Sequence, residues 1–290
     1  MGEALDDLLD LLDVERAGED TFRGRSRGAV APRVFGGQVV AQALVAAGRT
    51  VPEGRAAHSL HAYFLRAGDP DAPIAYAVER IRDGRSFTNR RVVAVQHGKP
   101  IFHLSASFQA YEEGLDHQAG MPSVPGPETL LTTRESLARH ADRFTVPDFA
   151  ERLLEARAAV DLRYVGEPPY AAPGEPRAPR SRVWFRVDGE LPDDPLLHVC
   201  LVAYVSDMTL LDPVLLAHGR GGWGVGDVVG ASLDHAMWFH RPLRADAWLL
   251  YDQESPSSSA GRGLGQARIW TRDGRLAVSV VQEGVVRVPR

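Results

Sequence analysis

Cysteine is almost missing: Cys200 is the one thiol in 290 residues. A disulfide within the chain is therefore excluded, and a reducing compartment is expected. Cys200 lies in the apolar run Leu196 to Val205 and reads as a small buried hydrophobe rather than a nucleophile. A basic excess is also missing, with 33 Lys and Arg against 38 Asp and Glu and a net charge of -5. That balance argues against a nucleic-acid partner, but not against a small polyanion, whose phosphates need only a few local cations. No apolar run approaches the ~18 residues of a membrane span, so stable membrane anchoring is not expected. The acidic opening MGEALDDLLDLLDVE lacks the basic region of a secretory signal. Asp6 stands where a myristoylation motif needs Ser or Thr, and the final VPR is not a peroxisomal SKL. The cytosol is the expected location.

Other absences limit the chemistry. No GxSxG elbow is present, which argues against a serine hydrolase of the α/β type. The glycine-rich HGRGGWGVG, His218 to Gly226, lacks the Lys-Ser/Thr of a P-loop and reads as a flexible loop. His58 and His61, or His235 and His240, tempt a metal assignment. Their odd spacing on a strand puts the members of each pair on opposite faces, so no metal and no cofactor is expected.

What is present is a repeat. Hydrophobic residues make up 44% and charged residues 24%, the balance of a globular protein able to hold one large core or two smaller ones. Leu5, Leu8, Leu9 and Leu12 recur at helical spacing. A short strand is expected at Thr21 to Arg25, then a helix apolar on nearly every side, Val39 to Ala47. Strands follow at Ser59 to Leu65, Ile74 to Arg82, Ser86 to Gln96 and Ile101 to Tyr111, with Asp83-Gly84 and His97-Gly98 as turns. The order then recurs: strand Arg182 to Val187, apolar helix Leu196 to Val205, and strands Ala231 to Phe239, Trp248 to Glu254, Leu264 to Thr271 and Leu276 to Val286. A helix apolar all round needs a sheet curled about it. The expected class is α+β, a double hotdog with two repeats, each an antiparallel sheet wrapped around a long apolar helix, joined side by side into one continuous sheet. The expected units are residues 1–125, a linker at 126–180, and residues 181–290 with the catalytic groups. Helical patterning at Glu128 to Val160 and the prolines 168, 169, 173, 176 and 179 mark the linker.

The segments FRGRS, VFGGQVVAQAL, HSLHAYFLRAG, RDGRSFTNRR and GKPIFHLSASFQ resemble the first half of the acyl-CoA thioesterase II family. YVSDMTLLDPVLLAHG, SLDHAMWFHRPLRADAWLLY and VVQEG resemble its second half. The resemblance runs in order over residues 5 to 288 and is weakest in the Pro-rich connection. It implies hydrolysis of medium- to long-chain fatty acyl-CoA, the double hotdog fold, an acyl-CoA substrate and a homo-oligomer. It places the catalytic aspartate on Asp207, the hydroxyl on Ser232 (Thr in some members) and the glutamine on Gln282.

The residues themselves allow this chemistry without compelling it. Asp207 follows an apolar helix, and a carboxylate carried into such surroundings needs partners. Burial makes a carboxylate a better base, yet Asp207 could equally cap a helix end. Alternation groups Ser232 with Asp234, Ala236 and Trp238, and an exposed strand serine is the plain alternative. Gln282 interrupts an apolar series and must satisfy its amide, through a structural bond or a substrate water. A thioester is already activated, so a water held by Asp207, Ser232 and Gln282 could attack it without an acyl-enzyme. Backbone amides near Gly36, Gly37 and Gln38 are candidates for stabilising the developing oxyanion, although the glycines could equally serve close packing. The rivals are a hotdog enoyl-CoA hydratase using Asp234 and His235, and a non-catalytic acyl-CoA-binding protein. Alternation points Asp234 and His235 oppositely, a poor acid–base couple.

Overall fold

The computed structural model describes residues 2–26, 33–144, 148–171, 174–221 and 228–288. Helix α1 (Gly2–Leu12) is followed by β1 (Glu15–Arg16), β2 (Thr21–Gly24), α2 (Gly36–Gly48), β3 (Arg55–Phe64), β4 (Ile74–Asp83), β5 (Phe87–Gln96) and β6 (Lys99–Ala110). The connection carries α3 (Thr133–Arg139), α4 (Phe149–Ala156) and β7 (Val160–Tyr164). The second half contains β8 (Arg180–Val187), α5 (Pro195–Ser206), α6 (Asp212–Ala217), β9 (Val229–Ser232), β10 (Asp234–Phe239), β11 (Leu249–Ser259), β12 (Arg262–Thr271) and β13 (Leu276–Arg287).

The strands form one antiparallel sheet in the order β1-β2-β4-β5-β6-β3-β10-β13-β12-β11-β8-β7, with β9 pairing β13. Each half places its third strand at the seam, where β3 and β10 pair through Leu60–Met237 and Ala62–His235. This is the double hotdog. Strand β7 lies within the connection and extends the second half of the sheet by pairing with β8.

Both central helices are apolar all round, and the structure buries them. Val40, Ala41, Ala43 and Leu44 of α2, and Cys200 to Ala203 of α5, are fully enclosed in one core shared by both halves. Asp194 starts α5 by accepting from the amides of Leu196 and Leu197 at 2.9 and 3.4 Å, with Pro195 in the first turn. Gln38 and Gln42 are the buried polar residues of α2, and Gln42 is the deeper of the two. Its Nε2 donates to Leu11 O and Arg25 O, and its Oε1 accepts from Tyr76 at 2.6 Å. A buried amide is tolerated because its partners are all present.

The helices run antiparallel in close contact, and glycines allow it. A Cβ on Gly37 would stand 2.3 Å from Tyr204 O, and one on Gly48 would stand 2.5 Å from Leu196. The start of α2 is thereby brought against the end of α5. Arg90, 1% exposed, ties the far end of α2 to the sheet. It donates to Thr50 Oγ1 and Thr50 O at 2.9 Å and to Asp83 at 2.7 Å.

Two expectations about side-chain facing are corrected by bulges. The register of β3 against β6 shifts between Ala57 and Ser59. Ala57 and Leu60 therefore both face inward, and His58 and His61 share the outer face instead of opposing each other. His58 bonds Ser107 at 2.7 Å, and His61 stacks edge-on with Trp238. Among the described residues no group of three or more ligating side chains gathers there or elsewhere. Along β9 and β10 the pairing runs Ser232–Gly284 and then Ala236–Val281, so four steps on one strand match three on the other. The extra residue at Leu233 rephases the strand. Ser232 turns inward, and so do His235, Met237 and Phe239, while Asp234, Ala236 and Trp238 remain less buried. Most of the glycine-rich segment, 222–227, lies outside the described residues.

Candidate active site

Asp207 is the residue at which α5 stops, with its backbone still helical at φ -81°, ψ -5°. A carboxylate at the negative end of its own helix is unfavourable, but the antiparallel packing sets it opposite the positive end of α2. The approach is close: a Cβ on Gly36, the first residue of α2, would lie 2.6 Å from Asp207 Oδ2. Gly36 leaves the space that Asp207 fills.

The other oxygen of the carboxylate is held from the sheet. Asp207 Oδ1 accepts from Ser232 Oγ at 2.9 Å and from Gln282 Nε2 at 2.6 Å. Gln282 Nε2 also donates to Ser232 Oγ at 2.6 Å, which closes a triangle of three side chains. Their positions in the chain differ by up to 75 residues, and the helix end, the last residue of β9 before the bulge, and β13 bring them together. Gln282 is 1% exposed, whereas Asp207 and Ser232 are half-buried and face a cleft of about 770 Å³.

The cleft has an apolar floor from Phe35, Phe64, Phe102, Met208 and Leu211, with Gly36, Asp207 and Ser232 in its wall. Arg33 and Arg66 also line it and are exposed. Arg33 donates to Gly230 O, and Arg66 donates to Pro100 O at 2.5 Å.

The residues at the start of α2 separate into distinct roles. The first amides of an α-helix have no partner within the helix, and those of Gly36, Gly37 and Gln38 occupy that turn. The side chain of Gln38 turns away and donates to Arg25 O at 3.0 Å, so it offers the site only its backbone. The absent side chain of Gly37 belongs to helix contact, and that of Gly36 belongs to Asp207.

Asp234 and His235 part company, as alternation implies. Asp234 accepts from the Glu283 amide at 2.6 Å, while His235 is fully buried and its Nε2 meets Ser206 Oγ at 2.9 Å. The proximity of His235 and Ser206 to the triangle was missed in the sequence because it depends on the bulge at Leu233. Burial pushes the His235 imidazole below its ordinary pKa, against the opposing pull of the Asp207 charge and the Gln282 side chain. Cys200 takes no part: it is buried, and burial pushes its thiol up.

Comparison with known proteins adds an independent observation. A family model described as acyl-CoA thioesterase matches residues 157–285, and one described as acyl-CoA thioesterase N-terminal domain matches residues 25–109. The human acyl-coenzyme A thioesterase 8 is 43% identical over 96% of this chain and 88% of its own. The chain belongs to the acyl-CoA thioesterase family. Acyl-CoA thioesterase 2 of Haemophilus influenzae is 39% identical over 99% of both chains. Among solved structures, an acyl-CoA thioesterase II from Mycobacterium marinum superposes with a TM-score of 0.79 at 43% identity, covering 97% of this chain and 98% of its own. A hot dog protein from Alicyclobacillus acidocaldarius at 20% identity and TM-score 0.77 shares the fold. Membership makes this thioesterase chain a hydrolase, and the two matched regions lie in the two halves of its sheet. No helix among the described residues is long and apolar enough to cross a membrane.

Proposed function

We propose that the protein hydrolyses medium- to long-chain fatty acyl-CoA by direct attack of water, with Asp207 as the general base. The observation that carries this reading is the shared Asp207 Oδ1, which accepts from both Ser232 and Gln282 on the wall of an apolar cleft. Fixing one oxygen leaves the other, Oδ2, against Gly36 in the wall of the cleft and unengaged by Ser232 and Gln282. A water there would donate to Oδ2 and lie within reach of Ser232 Oγ. Both amide hydrogens of Gln282 are engaged by its neighbours. Gln282 therefore contributes by orienting the other two groups from behind.

In the reaction the water oxygen bonds to the thioester carbonyl carbon as its proton passes to Asp207. The carbonyl π electrons move onto oxygen, and the amides opening α2 receive that charge. Collapse of the tetrahedral adduct breaks the C–S bond. The thiolate of CoA leaves and takes up the proton held by Asp207, which restores the enzyme. Ser232 Oγ donates to the same carboxylate, so attack by Ser232 itself is the rival to attack by water, and the quenching experiment below separates the two. The acyl chain would lie along the phenylalanine-lined floor, and Arg33 and Arg66 offer cations to the CoA phosphates. A reducing compartment, the cytosol, suits a chain whose one cysteine is a buried thiol.

The test is free-thiol release measured over acyl-CoAs from acetyl to long-chain, together with rapid quenching. Each methylene entering the apolar floor gains about 0.8 kcal/mol, so kcat/KM should climb with chain length until the cleft is full. No acyl group should remain on the protein after quenching. Cleavage of acetyl-CoA alone would refute the substrate class, and a trapped acyl-Ser232 would refute direct attack by water.

A further inference from the structure

Beside the triangle lies a buried histidine with no part in the scheme above. His235 is fully enclosed, and its Nε2 is 2.9 Å from Ser206 Oγ, whose hydroxyl also has Ala203 O at 2.9 Å as an acceptor. The pairing of β10 with β13, Ala236 against Val281, continues to set His235 opposite Gln282. Both side chains face inward from directly opposed positions, where Cβ atoms stand about 5 Å apart. His235 Nδ1 and Gln282 Oε1 are both buried, and neither has a hydrogen-bond partner among the described residues. One ring nitrogen and one amide oxygen, facing neighbours and each lacking a partner, are complementary if the nitrogen carries the hydrogen. The terminal torsions of both side chains are soft, so a small rotation joins them.

Building on the site proposed above, we propose that His235 is a positioning residue, held by Ser206 in the Nδ1–H form and donating to Gln282 Oε1. The ring is neutral, since burial disfavours its cation, and so has a single hydrogen to place. With that hydrogen on Nε2, Nδ1 would be an acceptor facing Oε1, and two buried acceptors would share no donor. With it on Nδ1, Ser206 turns its one hydroxyl hydrogen from Ala203 O to Nε2, and the chain runs Ser206 to His235 to Gln282 to Asp207.

The chemistry gives this relay a purpose. While Asp207 is ionised, its oxygen alone keeps the amino end of Gln282 turned towards it. Once Asp207 takes the proton of the water, it could donate to an amide oxygen as well as accept from an amino group, and that preference is lost. His235 then holds Oε1 in place, so that Asp207 and Ser232 are presented unchanged for the second proton transfer.

The experiment combines kinetics with a readout of the ring itself. His235→Phe keeps a ring but no hydrogen bond, and kcat should fall roughly ten-fold with KM little changed. Ser206→Ala should cause a smaller loss of the same kind. In a Gln282→Ala background His235→Phe should cost almost nothing more, because the group it positions is gone. A merely structural role would give the same loss in both backgrounds and would overturn the proposal. The ¹⁵N spectrum of the histidine-labelled, unmutated protein should show His235 protonated at Nδ1, whatever the variants do. An Nε2–H form would overturn the relay while leaving the site intact. A fully active Gln282→Ala would instead refute the site, and the relay with it.

Discussion

Replacing Gly36 by alanine adds one methyl group at the point where α2 meets Asp207. The backbone admits it, since Gly36 is not among the residues of positive φ. The space does not: the new Cβ would lie 2.6 Å from Asp207 Oδ2 and 3.0 Å from Phe64 Cε1. Ordinary contact begins at 3.4 Å, so the carboxylate must retreat by 0.8 Å or α2 must shift. Asp207 is pinned by Ser232 and Gln282, so its retreat strains both bonds. A displacement of about 1 Å in a catalytic group costs on the order of 100-fold. We therefore expect Gly36→Ala to lower kcat between about 10- and 100-fold. Its stability should move by no more than about 1 kcal/mol, because alanine is the better helix former. Gly37→Ala is the control. Its Cβ would meet the Tyr204 carbonyl, which cannot swing aside, and overpacking should cost about 1–3 kcal/mol. Thiol release and urea melts on the two variants separate the effects. A Gly36→Ala protein with full kcat would refute the reasoning that this position is empty for the sake of Asp207.

Arg90→Met should destabilise the fold by about 2–3 kcal/mol in urea melts, since Thr50 O and Asp83 each lose a charge-assisted donor. An unchanged midpoint would show that the buried guanidinium contributes nothing net. Prolonged chelation should leave thiol release unchanged, because a water activated by Asp207 needs no metal. A loss restored by zinc or another cation would refute that.

The repeat was legible because both buried helices are apolar on every face, a pattern that admits few folds. The ends of the strands were legible from Asp83-Gly84, His97-Gly98 and similar turns. What the pattern could not carry was phase across a bulge. Alternation assigns Ser232 to the face of Asp234 and Trp238, and it opposes His58 to His61. One extra residue in each strand reverses these assignments without changing composition or periodicity enough to notice. Strand β7 falls between the helical patterning that ends at Val160 and the prolines that begin at 168, and is defined by its pairing with β8 rather than by its own short sequence. Asp207, Ser232 and Gln282 came from resemblance, since each alone reads equally well as a cap, a surface hydroxyl or a structural amide. The geometry that unites them depends on long-range packing. So does the pairing of His235 with Gln282, which needs both the bulge at Leu233 and the register of β13.

Asp207→Asn tests the central claim most directly. The substitution keeps the shape of the side chain and removes its capacity to take a proton from water. Thiol release from a long-chain acyl-CoA should fall about 100-fold or more in kcat. Substrate binding, measured separately by titration, should survive, because the acyl chain and CoA are held by the cleft rather than by the carboxylate. A fully active Asp207→Asn would contradict the assignment of the site.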